Sequence, residues 1–121
     1  MRRSSLSGIA SLLLVFATGV AQAHALLDHS EPRVGSQLSR PPTLVKIWFT
    51  QEVEPAFSKI AVFGPDGKEV DNKDTHVDPQ DHHVLMVSLP PLPPGTYRVR
   101  WKVVSVDTHK TQNDFKFVVK P

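Results

Sequence analysis

Proline constrains the fold of this chain more than any other feature of its sequence. Eleven of the 121 residues are proline. Inside an α-helix a proline removes one backbone hydrogen bond and clashes with the preceding turn. No window of the sequence shows a convincing helical repeat of apolar residues, whereas prolines are tolerated in turns and at the ends of strands. The sequence therefore predicts a domain built from short strands.

The stretches between the prolines read as strands, and several of them alternate between apolar and polar residues as strands with one buried face do. The predicted strands are Leu44–Phe49, Lys59–Phe63, 84–89, 96–105 and 115–119. A strong turn signal, Gly64-Pro65-Asp66-Gly67, follows the second of them. The sequence has no internal repeat and no long linker. The pattern predicts a single all-β domain, either an antiparallel β-sandwich or a Greek-key barrel.

Residues 1–23 have the pattern of a secretory signal peptide. Two arginines form a basic start, residues 9–20 are apolar, and Ala21-Gln22-Ala23 fits the small-residue cleavage pattern. The apolar run is short for a membrane-spanning helix, which needs roughly 20 residues. We therefore expect cleavage after Ala23 and a mature domain of residues 24–121, although a cut after Ala25 would also satisfy the small-residue rule.

Removal of the signal peptide leaves a mature chain with no excess of either charge. The chain has 14 Lys and Arg and 12 Asp and Glu, and two of the arginines lie in the signal peptide, so 12 positive residues remain against 12 negative ones. This balance gives no reason to expect nucleic acid or an anionic membrane surface as a partner. The chain has no cysteine, which excludes disulfide bonds and thiolate metal ligands.

A histidine directly follows the predicted cleavage site. After cleavage, His24 would offer a metal ion both its α-amine and its imidazole, whereas the backbone nitrogen of an internal histidine is an amide and a poor ligand. Further along, Asp107 and His109 are two residues apart, and such side chains point to the same side of an extended chain. Together these groups form a set of nitrogen and oxygen donors that suits Cu(II). The alternative for the triplet is a turn aspartate beside a surface histidine.

A second polar cluster lies between two of the predicted strands. It consists of Asp74, His76, Asp78, Asp81, His82 and His83. The cluster is either an auxiliary metal site or a solvated connection whose charges keep it at the surface. The sequence lacks the G-x-S-x-G, H-E-x-x-H and P-loop motifs, so hydrolytic chemistry has little support.

Five stretches of the mature chain form an ordered set of motifs. They are HALL at 24–27, SEP at 30–32, VEPAFS at 53–58, LPPGTYRVRW at 92–101 and VSVDTH at 104–109. Together they resemble the CopC family of periplasmic copper-binding proteins. The resemblance implies a seven-stranded Greek-key β-barrel of cupredoxin-like or immunoglobulin-like shape. It also implies that His24, Asp107 and His109 bind one Cu(II) ion per chain. The expected protein is a periplasmic monomer that sequesters copper or delivers it to an inner-membrane permease of the CopD type.

Three positions depart from the family pattern. Gln51 stands where many relatives have a glutamate, and Glu52 should point to the other face of a strand, which puts a carboxylate role there in doubt. Cu(I) selects thioether ligands, and Met86 is the one methionine beyond the initiator, so no Met-rich Cu(I) site is expected. Asn113 stands where relatives tend to have glycine, and asparagine tolerates a positive φ.

Two other functions compete with copper storage or delivery. A terminal histidine and a second histidine on one copper ion resemble the histidine brace of lytic polysaccharide monooxygenases, which are enzymes. An Asp107 ligand would crowd the position that oxygen activation needs, so we expect no enzymatic activity. The other alternative is a structural β-sandwich whose histidines are incidental.

Overall fold

The computed structural model of this protein describes residues 25–121. Within this range the chain forms eight strands and one short 3-10 helix, Pro55–Phe57. The strands are β1 (Leu27–Glu31), β2 (Gln37–Leu38), β3 (Leu44–Phe49), β4 (Lys59–Phe63), β5 (His76–Asp78), β6 (Asp81–Ser88), β7 (Gly95–Val104) and β8 (Lys110–Val119). None of the helical structure in residues 25–121 has the length and hydrophobicity that a membrane crossing requires.

The strands form two four-stranded sheets. The first sheet has the order β1-β3-β6-β5 and the second sheet the order β2-β8-β7-β4. Neighbouring strands are antiparallel except β2 and β8, which pair in parallel over two residues. The predicted all-β fold is confirmed, with eight strands in the described residues where the family resemblance implied seven.

The core lies between the sheets and consists of the residues that alternate along the predicted strands. In β3 the inward residues Val45, Ile47 and Phe49 are buried. In β7 and β8 the buried residues are Tyr97, Val99, Trp101, Val103, Phe115, Phe117 and Val119. Each large apolar side chain that leaves water in this way contributes about 1.5 to 3 kcal/mol to stability. Because the chain has no cysteine, this core holds the domain together without disulfide bonds.

The polar segment 74–83 differs from the sequence prediction. The sequence indicated a connection between strands, but most of the segment forms the β5–β6 hairpin, with Val77 opposite Leu85 and Asp78 opposite Asp81. The hairpin turns at residues 79–80, where the Asp78 carboxylate accepts a hydrogen bond from the Gln80 amide at 2.8 Å. Strand β6 therefore begins three residues before the predicted start. Its first residues are polar because they face solvent, so they carry no signal of alternating burial.

The longest pairing in the molecule is the β7–β8 hairpin. Its register runs over ten residue pairs, from Gly95 opposite Val119 to Val104 opposite Lys110. The five residues between these strands, 105–109, form a loop that we call the site loop. Two long paired strands with buried inner faces thus hold the site loop at one end of the domain.

Candidate metal centre

The site loop is a tight turn that brings two predicted ligands together. The backbone amide of Thr108 donates to the Ser105 carbonyl at 2.8 Å, and the amide of Ser105 donates to the His109 carbonyl at 2.9 Å. Thr108 has a φ of 73°, the left-handed conformation in which the chain reverses. As a result Nδ1 of His109 lies 3.3 Å from Oδ1 of Asp107. The two side chains are neighbours because the backbone turns, and not because the chain is extended.

Ser105 orients the carboxylate of Asp107. It is fully buried, and its hydroxyl donates a short hydrogen bond to Oδ1 of Asp107. This bond and the neighbouring His109 hold the pKa of Asp107 below its ordinary value, because both favour the charged form. Asp107 is therefore an anion at neutral pH. No motif in the sequence singles out Ser105, so its role in positioning Asp107 was not predicted.

Both side chains remain accessible to an ion in solution. The side chain of Asp107 is 34% exposed and that of His109 is 52% exposed. The part of the chain that the structure describes contains no cluster of three or more histidine, cysteine or acidic residues with the geometry of a metal site. Asp107 and His109 therefore offer two candidate donors, and a complete metal site would need further donors.

The beginning of the described chain is fixed beside the site loop. Ala25 is fully buried, and its carbonyl accepts a hydrogen bond from the hydroxyl of Thr111 at 2.7 Å. The amide of Leu26 donates a hydrogen bond to the hydroxyl of Thr50 at 3.0 Å, and the carbonyl of Leu26 accepts one from the amide of Thr50 at 2.8 Å. Thr111 follows His109 by two residues on β8. The residue that precedes Ala25, the predicted ligand His24, lies outside the described residues.

Residues 51–54 run along the other side of the site loop. The carbonyl of Glu52 accepts a hydrogen bond from the Val106 amide at 3.1 Å, and the Glu54 amide donates to the Val104 carbonyl at 2.8 Å. Gln51 is half-buried and Glu52 is exposed, as expected for neighbours on opposite faces. Glu52 belongs to no group of three or more potential metal-binding residues in the described range.

The second polar cluster uses its side chains for local structure. Both carboxylate oxygens of Asp74 accept hydrogen bonds from Ser88, at 2.8 Å from its amide and 2.5 Å from its hydroxyl. These bonds lower the pKa of Asp74. Asp81 accepts hydrogen bonds from the amide and ring of His83, and these lower its pKa. His76 bonds the carbonyl of Asp74 at 2.8 Å. Of the two readings of this cluster, the contacts favour a solvated structural element.

Comparisons with known proteins agree with the fold and with the resemblance seen in the sequence. The family model described as "CopC domain" matches residues 27–120. The chain is 36% identical to Protein YobA of Escherichia coli K12 over 119 residues, which is 98% of this chain and 96% of that protein. It is 34% identical over 107 residues to Copper resistance protein C of Escherichia coli, covering 83% and 84% of the two chains. The crystal structure of CopC from Methylosinus trichosporium OB3b superposes with a TM-score of 0.76 at 31% identity, over 81% of this chain and 95% of that one.

Proposed function

This chain belongs to the CopC domain family, and we propose that it binds one Cu(II) ion and contributes to copper resistance. The observation that carries this proposal is the Asp107–His109 pair at the tip of the site loop, beside the anchored residue Ala25. A relative that covers most of the chain is named a copper resistance protein, which supports copper as the ion.

The proposed ligands are the amine and imidazole of His24, the carboxylate of Asp107 and the imidazole of His109. His24 directly precedes Ala25 in the sequence. Ala25 is held through Thr111 to the strand that leaves the site loop. Three nitrogens and one carboxylate oxygen form a ligand set typical of Cu(II). Because the amine must lose its proton, binding should weaken as the pH falls below its pKa of about 8.

Processing is part of the proposed mechanism, because His24 has a free amine only after a cut behind Ala23. A cut after Ala25 would remove a fully buried residue and its hydrogen bond to Thr111, which supports the earlier site. We propose that residues 1–23 are a cleaved signal peptide and that residues 24–121 work in the periplasm. Mass spectrometry of the exported protein tests this: the expected first residue is His24, and a chain that starts at Leu26 would contradict the ligand set.

Isothermal titration of the processed protein with Cu(II) tests the function. We expect saturable binding of one equivalent, and binding that weakens more than about 100-fold when an alanine is added before His24, since the chelate is then lost. His83→Ala is the matched control and should bind as the wild type does. Absence of saturable binding, or equal affinity with and without the added alanine, would overturn the proposal.

The proposed role is storage or delivery of copper by a monomer, with a CopD-type permease of the inner membrane as the receiving partner. We propose no catalytic activity, because an ionised Asp107 bound to copper would crowd the position that oxygen activation needs free. Oxygen consumption by the copper-loaded protein with a reductant and a polysaccharide would favour the monooxygenase alternative. Thermal melting with and without Cu(II) distinguishes the alternative of a structural β-sandwich. A ligand at a thousandfold excess over its Kd adds about 4 kcal/mol to the stability of a protein that binds it. If the histidines are incidental, Cu(II) should add almost none.

A further inference from the structure

Charged side chains are segregated between the two sheets. The described strands of the first sheet have four acidic residues and one lysine. Those of the second sheet have one acidic residue, Asp114, and six basic ones. The basic residues are Lys59, Arg98, Arg100, Lys102, Lys110 and Lys116, and all six are exposed. We call this surface the basic face; the equal totals of positive and negative residues conceal it.

The cations of the basic face stand next to one another in the sheet register. Arg98 is paired with Lys116 across β7 and β8, and Lys102 is paired with Lys59 across β7 and β4. Like charges directly opposite each other destabilise a sheet. Asp114 lies opposite Arg100 in the register, but none of the ion pairs found among residues 25–121 includes a lysine or an arginine. An anionic partner would relieve the repulsion.

A groove of about 480 Å³ opens between the basic side chains. Its lining consists of Arg98, Arg100 and Lys116 with Phe63, Gly64, Pro65, Gly67 and Thr96. The guanidinium of Arg100 lies over the ring of Phe63, 5.4 Å from its centroid, a contact that holds the charge at the wall of the groove. The groove thus presents three cations and their hydrogen-bond donors to solvent.

We propose that the basic face binds an extended acidic segment of a partner protein. Arg98, Arg100 and Lys102 project from alternate positions of β7, so neighbouring cations are spaced by about 6.6 to 6.8 Å. An extended segment with Asp or Glu at every second position has its carboxylates at the same spacing. Each arginine could then form a bidentate pair with one carboxylate, which would stabilise the complex.

A membrane surface fits this face less well than an acidic segment does. Surfaces that bind anionic membranes combine basic residues with apolar side chains that enter the bilayer. The exposed large apolar residues of the described chain are Leu26, Val34, Leu44, Phe57 and Val106. None of them lies on β4, β7 or β8. One of them, Phe57, lines a hollow with Lys59 and Lys102 at one end of the face, whereas the groove between Arg98, Arg100 and Lys116 has none of them in its lining.

Binding at the basic face is independent of copper, although β7 and β8 connect it to the site loop. Its test uses the processed protein without added metal, so its failure and a failure of copper binding are distinguishable. The probe is a fluorescent peptide in which glutamate and threonine alternate, with fluorescence anisotropy as the readout. The control peptide has the same composition with its glutamates in one block.

The alternating peptide should bind saturably and more tightly than the block peptide. Its binding should weaken about tenfold at high salt, because salt shortens the range of electrostatic attraction.

Arg98→Glu/Arg100→Glu should weaken binding of the alternating peptide at least about tenfold. The control Arg33→Glu/Arg40→Glu makes the same change of charge at exposed residues outside the strands and should change affinity less than about twofold. Arg98→Gln/Arg100→Gln removes the charges without reversing them, so it tests the inference even if the first variant fails to fold. Equal binding of both peptides, equal loss in the control, or binding to phosphatidylglycerol vesicles without peptide binding would overturn the inference.

Discussion

The same tripeptide, Asp-Thr-His, occurs at two places in this domain and has a different structure at each. At 107–109 the histidine ring faces the aspartate side chain across 3.3 Å, and a buried serine orients the carboxylate. At 74–76 the carboxylate is occupied by Ser88, and the histidine ring bonds a backbone carbonyl instead. The middle threonines differ as well: Thr108 has a positive φ, whereas Thr75 exchanges hydrogen bonds of 3.2 Å with the backbone of Ile60.

This difference shows that the triplet alone does not define a metal site. At 107–109 the turn leaves both side chains on one accessible side, next to the anchored start of the chain. At 74–76 the triplet leads into β5, so its polar atoms form hydrogen bonds that hold the start of β5 against β4 and β6. We therefore expect copper binding to depend on the first triplet and folding stability to depend on the second.

Substitution of the predicted ligands should produce the largest difference in Cu(II) affinity between the two triplets. Asp107→Asn or His109→Ala should weaken Cu(II) binding by more than about 100-fold, since loss of a group that merely orients a ligand already costs 10 to 100-fold. Asp74→Asn and His76→Ala should change it less than about twofold. Competition with a copper chelator measures all four variants. Equal losses of Cu(II) affinity at both triplets would contradict the assignment of the site to residues 107–109.

Removal of the orienting serine should have the next largest effect. Ser105→Ala should weaken Cu(II) binding by about tenfold. Because the hydroxyl favours the charged carboxylate, its loss raises the pKa of Asp107 toward the ordinary value, and protons compete with copper at higher pH. The midpoint of copper binding in a pH titration should therefore shift upward. Ser88→Ala, which removes the corresponding partner of Asp74, should leave that midpoint unchanged; a shift of the same size in both variants would refute the assignment.

The second triplet should show its effect in stability. Asp74→Asn should lower the free energy of unfolding by roughly 1 kcal/mol at neutral pH, because it weakens the hydrogen bonds from Ser88. The pKa of Asp74 is lowered in the folded state, so its contribution is present above the ordinary pKa and is lost as the pH falls through the lowered one. Urea unfolding across acidic pH should show wild type and variant converging. A difference that persists in acid would contradict this.

The anchor of the chain start should have the smallest effect on copper. Thr111→Val keeps the shape of the side chain and removes its hydrogen bond to the Ala25 carbonyl, so Cu(II) affinity should fall only about threefold. Thr96→Val, an exposed threonine on β7, is the control for the substitution. Unchanged affinity in Thr111→Val would show that the site does not need Ala25 to be held there.

The strands that could be predicted from the sequence have either alternating or continuously apolar residues. A short apolar run located β4, whose residues 60–62 are all buried. Alternation located β3 at its true bounds and gave the buried residues of β7 and β8. It could not locate β5 or the start of β6, where polar residues face solvent and the strand exists because it has a neighbour to pair with. The two-residue β2 is too short for any periodic signal.

The candidate site was predictable in its residue types but not in its geometry. Spacing identified Asp107 and His109, yet the positive φ of Thr108 and the buried hydroxyl of Ser105 depend on how the β7–β8 hairpin closes. The basic face was hidden for a related reason: a net charge sums over the whole chain, whereas the sheet register decides which cations are neighbours.

A crystal structure of the processed protein with Cu(II) bound tests the central claim most directly. The account predicts one copper ion at the tip of the site loop, bonded to the amine and imidazole of His24, the carboxylate of Asp107 and the imidazole of His109. Copper at the 74–83 segment, or copper on the site loop without His24 among its ligands, would contradict it.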